Sequence, residues 1–197
     1  MSITRILTVT FLFSSFLLII VSANVIPHPK PPADIPDPKP IDPAKNPVPE
    51  GDRPGKQARE FLDAHNRIRA TKGQPPLVWD NQLAKYAKQW AAERINDCKM
   101  IHSNGPHGEN LFWGGQDHWT PTKVVDSWAS EAEFYNEQTH QCKPGEMCGH
   151  YTQIVWRDTQ RVGCTRRKCN NGGYYFVCSY DPPGNYVDEN PFGGKLR

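Results

Sequence analysis

The first 97 residues of this 197-residue chain contain no cysteine; all six cysteines lie at or beyond Cys98. No Cys-x-x-Cys pair occurs among them, which argues against a structural zinc site built from thiolates. The chain has no His-Glu-x-x-His helix and no Gly-x-Ser-x-Gly elbow, so the local signatures of a zincin and of an α/β hydrolase are both missing. It also lacks a strong excess of either charge. With 23 basic and 21 acidic side chains, the formal net charge is +2, which predicts no strongly charged partner and no nucleic acid. The short basic run Arg166-Arg167-Lys168 reads as a solvated strand end.

Long apolar runs are missing with one exception. Arg5 precedes the run from Ile6 to Val21, and the small residues Ser22 and Ala23 follow it. The run is short for a membrane span and no basic stop-transfer cluster comes after it, so residues 1–23 read as a secretory signal peptide, with the mature chain beginning near Asn24. No membrane span is expected once it is removed. Proline is then abundant: it fills 11 of the 28 positions from Pro27 to Pro54, among almost no large apolar residues. Proline removes backbone donors and fixes φ, so residues 24–55 read as an extended linker and not as part of a core. A contact with the cell wall is the functional reading of that linker, and a solvated spacer is the simpler one.

The folded domain is expected over residues 56–197. Ala58, Phe61, Leu62, His65 and Ile68 recur at helical spacing up to Gly73, and His65 on that stripe reads as a satisfied core histidine. After Pro75 and Pro76, Asp80 is placed to cap a second helix that carries Leu83, Ala87, Trp90 and Ala91. Met100 to His118 shows no sustained period and reads as a loop pinned by Leu111, Phe112 and Trp113, with His107 and His118 exposed. Thr120-Pro121 starts a third helix, on which Val124, Trp128, Glu131 and Tyr135 share one face. The stretch from Gly149 to Trp156 fits a strand or a helix. Residues 161–169 and 174–180 read as two strands joined by the tight turn Asn170-Asn171-Gly172-Gly173.

Six cysteines allow 15 pairings. The hairpin places Cys164 and Cys178 almost opposite each other, Cys142 and Cys148 bracket a small loop, and Cys98 and Cys169 remain. This usage fits an oxidising, extracellular compartment.

Four ordered blocks resemble a known family: Ala64-His-Asn-Arg-Ile-Arg69, Gly108-Glu-Asn-Leu111, Gly149-His-Tyr-Thr-Gln-Ile-Val-Trp156 and Phe176-Val-Cys-Ser-Tyr-Asp-Pro-Pro-Gly-Asn185. Together they resemble the CAP superfamily, and within it the plant pathogenesis-related class 1 proteins, over about Gln57 to Phe192. The resemblance implies an α+β fold: a three-layer α-β-α sandwich with a small antiparallel sheet, a short helix at Gly149, and the disulfides 98–169, 142–148 and 164–178. It implies a secreted, non-enzymatic, monomeric defence or stress protein of the apoplast or cell wall that binds a sterol or another lipid. Phe134 and Tyr135 are the aromatic candidates for that ligand, although both can equally pack on the core. His102, Glu109, Glu131 and His150 match the two-histidine, two-glutamate set of the family's cleft. That set can bind zinc, with affinity falling below about pH 6 as imidazole protonates, or can be purely hydrogen-bonded; no cofactor is required. A metal-assisted hydrolase that uses this cleft is the alternative. The segment Pro182 to Phe192 resembles a peptide excised from plant relatives. It departs from them in Ser179 before the cut, in the Pro-Phe ending, and in the extension from Gly193 to Arg197.

Overall fold

The computed structural model describes residues 55–115 and 118–193. The expected signal peptide and proline-rich linker lie outside the described residues.

Among the described residues, four α-helices and six strands follow in the order α1 (Lys56–Thr71), β1 (Val78–Trp79), α2 (Asn81–Arg94), β2 (Gly108–Gly114), α3 (Pro121–Ser130), β3 (Tyr135–Asn136), β4 (Gln141–Cys142), α4 (Gly149–Ile154), β5 (Arg161–Lys168) and β6 (Tyr174–Asp181). Local chemistry sets several of the boundaries. The Asp80 carboxylate accepts from the Gln82 and Leu83 amides to start α2, and Thr120 accepts from the Lys123 amide with Pro121 in the first turn of α3. Both satisfy amides that a helix start leaves orphaned.

The main sheet has the order β1-β5-β6-β2. β5, β6 and β2 are antiparallel, as expected, but β1 pairs with β5 in parallel over two residues. One face of the sheet meets α2 through Ala87, Ala91, Leu111, Tyr175 and Val177. The other carries the larger core, where Phe61, Trp128, Tyr151, Ile154, Phe176 and Tyr180 meet from α1, α3, α4 and β6. β6 is buried at six successive positions, Tyr175 to Tyr180, as a strand covered on both faces must be. This is the three-layer α-β-α sandwich.

The three disulfides are Cys98–Cys169, Cys142–Cys148 and Cys164–Cys178. Cys164 and Cys178 are direct cross-strand partners. The turn between β5 and β6 places its positive φ values at Gly172 and Gly173 and not at Asn171.

The structure corrects two elements. Gly108–Gly114 is a strand and not a loop, paired with β6 at seven positions. Its flanking glycines hide it from periodicity, yet they are required by close packing: a Cβ at Gly108 would meet Gln153 Oε1 at 2.2 Å, and one at Gly114 would meet the Trp119 ring at 2.2 Å. Trp113 is 46% exposed and does not pin the segment. The third helix stops at Ser130; a 3-10 turn follows from Glu131 to Phe134, and Tyr135 opens β3. The face shared by Val124 and Trp128 therefore does not run on to Tyr135.

Candidate functional site

Arg69 and His65 show how α1 organises the region. The fully buried Arg69 guanidinium donates to the carbonyls of Ile154, Trp156 and Thr159, at the end of α4 and in the turn after it, and to the Pro75 carbonyl between α1 and β1. Burial lowers its pKa to about 10. One turn back, His65 bonds Phe61 O through Nδ1 at 2.8 Å and the Tyr180 hydroxyl through Nε2 at 2.8 Å. Because a carbonyl only accepts, Nδ1 carries the proton and Nε2 accepts from Tyr180. The imidazole is neutral: burial, opposed by the Phe61 bond and aided by Arg69, lowers its pKa to about 4. The Tyr180 oxygen in turn accepts from Asn110 Nδ2, which also donates to His150 O. A buried chain of hydrogen bonds thus runs from α1 to β2 and α4.

The four candidate metal residues form two pairs. His102 Nδ1 lies 2.8 Å from Glu109 Oε1, which also accepts from the Ser103 amide at 3.0 Å. The Glu109 side chain is 6% exposed, and its Oε2 is buried without a hydrogen-bond partner. His150 Nδ1 lies 2.6 Å from Glu131 Oε1, while Glu131 Oε2 accepts from the His150 amide at 3.0 Å and the Tyr151 amide at 3.4 Å. Glu131 thereby serves the N-terminus of α4, whose own cap residue, Cys148, contributes no side-chain bond, and a carboxylate also suits the positive end of the helix dipole. Trp128 stacks on the His150 ring at 5.9 Å.

Side chains alternate along β2, so Glu109 leaves it with Leu111 on the α2 side and Asn110 leaves it toward Tyr180 and α4. The first pair thus starts from the α2 face of this edge strand, and the second joins the end of α3 to the start of α4. Among the described residues, no group of three or more His, Cys, Asp or Glu side chains is arranged to hold an ion. The donor chemistry itself suits zinc. Each imidazole is oriented through Nδ1 by a carboxylate, which leaves Nε2 as the ligating atom.

The aromatic candidates separate. Tyr135 is 9% exposed and packs against Tyr151 and Phe192, with its hydroxyl 3.1 Å from His140 Nδ1. Phe134 is partly buried, with Lys143 Nζ 5.9 Å from its ring centre. Sequence reasoning passed over Met147, which is 58% exposed inside the small loop closed by Cys142–Cys148; a large apolar residue within so short a loop was the available signal. His107 is not the exposed loop residue expected. Its side chain is 26% exposed and packs edge-on to Tyr86 at 5.0 Å.

The C-terminal segment is built into the fold. Gly184 N donates to Gln153, Thr152 donates to Asn185, and Arg157 N donates to Pro191 O. Among the described residues no helix is long and apolar enough to cross a membrane.

The family model for the cysteine-rich secretory proteins, CAP, matches residues 62–180. Pathogenesis-related protein 1C of Nicotiana tabacum is 48% identical over 134 residues, which cover 68% of this chain and 80% of the relative. Pathogenesis-related protein PR-1 of Medicago truncatula is 49% identical over 134 residues, covering 68% and 78%. Among solved structures, venom allergen-like protein 4 of Schistosoma mansoni superposes with a TM-score of 0.56 at 29% identity, covering 72% of this chain and 97% of that one. NaASP2, solved with Zn2+, superposes with a TM-score of 0.60 at 24% identity, covering 75% and 90%. With the fold, the three disulfides and these matches together, the chain belongs to the cysteine-rich secretory protein family and is a pathogenesis-related class 1-like member of it.

Proposed function

We propose that this protein is a secreted defence protein that acts by binding and not by catalysis, with a sterol or related lipid as its ligand. The observation that carries a binding role is the state of the cleft carboxylates. Glu131 holds a histidine Nδ1 and two backbone amides with its two oxygens, and Glu109 holds a histidine Nδ1 and one amide through Oε1 while its Oε2 is buried, so both carboxylates fix their neighbours and neither turns a free oxygen to the surface as a general base would. All six cysteines are in disulfides, which removes a thiol nucleophile. For the lipid, Phe134 and Met147 offer apolar surface beside a hairpin held by Cys142–Cys148, and flat rings suit a sterol skeleton. Tyr135 supports that surface from the core.

Zinc acts in this reading as a modulator, held by Nε2 of His102 and of His150, with Glu109 and Glu131 orienting the rings. The buried, unbonded Glu109 Oε2 favours one second reading, a metal-assisted hydrolase. The separating experiment incubates the mature protein with labelled cholesterol and with a peptide panel, each with and without chelator. Saturable sterol binding without turnover is expected; chelator-sensitive turnover replaces this reading with the hydrolase.

A further inference from the structure

A second recess lies at the end of the sheet, on its α2 face. It is an open depression of about 400 Å³ between one stripe of α2 and the ends of β5 and β6. Its floor is Arg161, which is ion-paired to Asp181 and 3.5 Å from Asp80. The other Asp80 oxygen caps α2, and with Lys85 the lining carries two cations and two carboxylates. From α2, Gln82, Tyr86 and Gln89 enter at steps of four and three residues, which places them on one helical face. Tyr86 is fixed in place: His107 packs edge-on to it, its hydroxyl bonds Ser103 at 3.3 Å, and Gly105 lies so close that a Cβ there would meet that hydroxyl at 1.7 Å.

This combination selects for one chemistry. A free cation lacks a ligand set, since no group of three or more His, Cys, Asp or Glu among the described residues is arranged to hold one. A phosphate or sulfate finds its guanidinium already neutralised by two carboxylates. An apolar ligand finds Leu83 as the one aliphatic side chain in the lining. A ligand with closely spaced hydroxyls is served instead. The carboxylates and amides accept from hydroxyls, the amides, Lys85 and Arg161 donate to them, and the Tyr86 ring offers a face for C–H groups. We propose that this recess binds a neutral oligosaccharide, as a site separate from the lipid surface.

The test titrates the full mature protein with cellotetraose and, separately, with tetragalacturonate, following the amide NMR signals of Gln82 to Gln89 and the heat of binding. Saturable binding of cellotetraose at about millimolar concentration is expected, with shifts centred on α2 and weaker binding of the acidic tetramer. The double substitution Gln82→Ala with Gln89→Ala removes two exposed amides without touching the core, and weakens binding by about fivefold or more. Absence of saturable shifts, shifts centred elsewhere, binding of tetragalacturonate alone, or an unaffected double variant would each overturn the proposal. Sterol binding by the double variant stays at the wild-type level, so failure of this site and failure of the lipid reading are read separately.

Discussion

Single buried polar groups give the sharpest predictions. His65 takes up a proton near pH 6.5 in the unfolded chain but only near pH 4 in the fold, because burial opposes its charge. Its contribution is whole above about 6.5 and is lost as pH falls from there to about 4, a span equivalent to about 3 kcal/mol. Denaturant unfolding across that window is expected to show wild type losing stability more steeply than His65→Gln, and parallel curves would contradict the neutral assignment. Arg69 is the other such group. Arg69→Met strands at least four carbonyls that now accept from it, at a cost of about 3–5 kcal/mol, read as a fall in denaturation midpoint that Arg69→Lys partly restores. In the cleft, zinc calorimetry is expected to show at least a tenfold loss of affinity in His150→Ala, and about a 10-fold loss or more in Glu131→Gln, which leaves the ring but weakens its orientation. Unchanged affinity in His150→Ala would remove this histidine from the ligand set.

At the scale of elements, α2 lies directly on β5. A Cβ at Gly163 would fall 2.1 Å from the Ala84 amide nitrogen, and backbone cannot yield as a flexible side chain can. Gly163→Ala is therefore expected to cost about 1–3 kcal/mol or more, measured by thermal melting. The disulfides rank by the loop each closes. Cys98–Cys169 spans 71 residues and Cys142–Cys148 spans 6, which in the chain-entropy model is about 4 against about 2 kcal/mol. Paired Cys→Ser variants compared in denaturant should keep that order. The hairpin and this last disulfide were readable in advance because turn residues and loop length are local. β2 was not: Gly108 and Gly114 weaken its strand signal, and only seven pairings with β6 define it. The end of α3 escaped for a related reason, since the chain passes from α to 3-10 geometry at Glu131, whose carboxylate meets the first amides of α4, a partner 19 residues away.

Across the whole molecule, the C-terminal segment behaves as a strap. The bond after Asp181 is flanked by hydrogen-bonded groups: Gln160 N donates to Asp181 O and Thr159 donates to Pro182 O. Val187, by contrast, is 60% exposed. Limited proteolysis of the native protein is expected to cut first between Tyr186 and Glu189, and early cleavage after Asp181 would show that the strap opens readily. By itself the sequence determined the fold class, the helix starts at Asp80 and Thr120, the β5–β6 hairpin, the disulfide set and the core role of His65, because each follows from local periodicity, capping, turn chemistry or family blocks. Tertiary structure decided the rest. It alone paired His102 with Glu109 and His150 with Glu131, drew Tyr135 into the core while Met147 stayed exposed, and folded His107 onto Tyr86. These outcomes depend on which faces of an edge strand and a short loop are covered by elements distant in the chain, and local spacing carries no record of that.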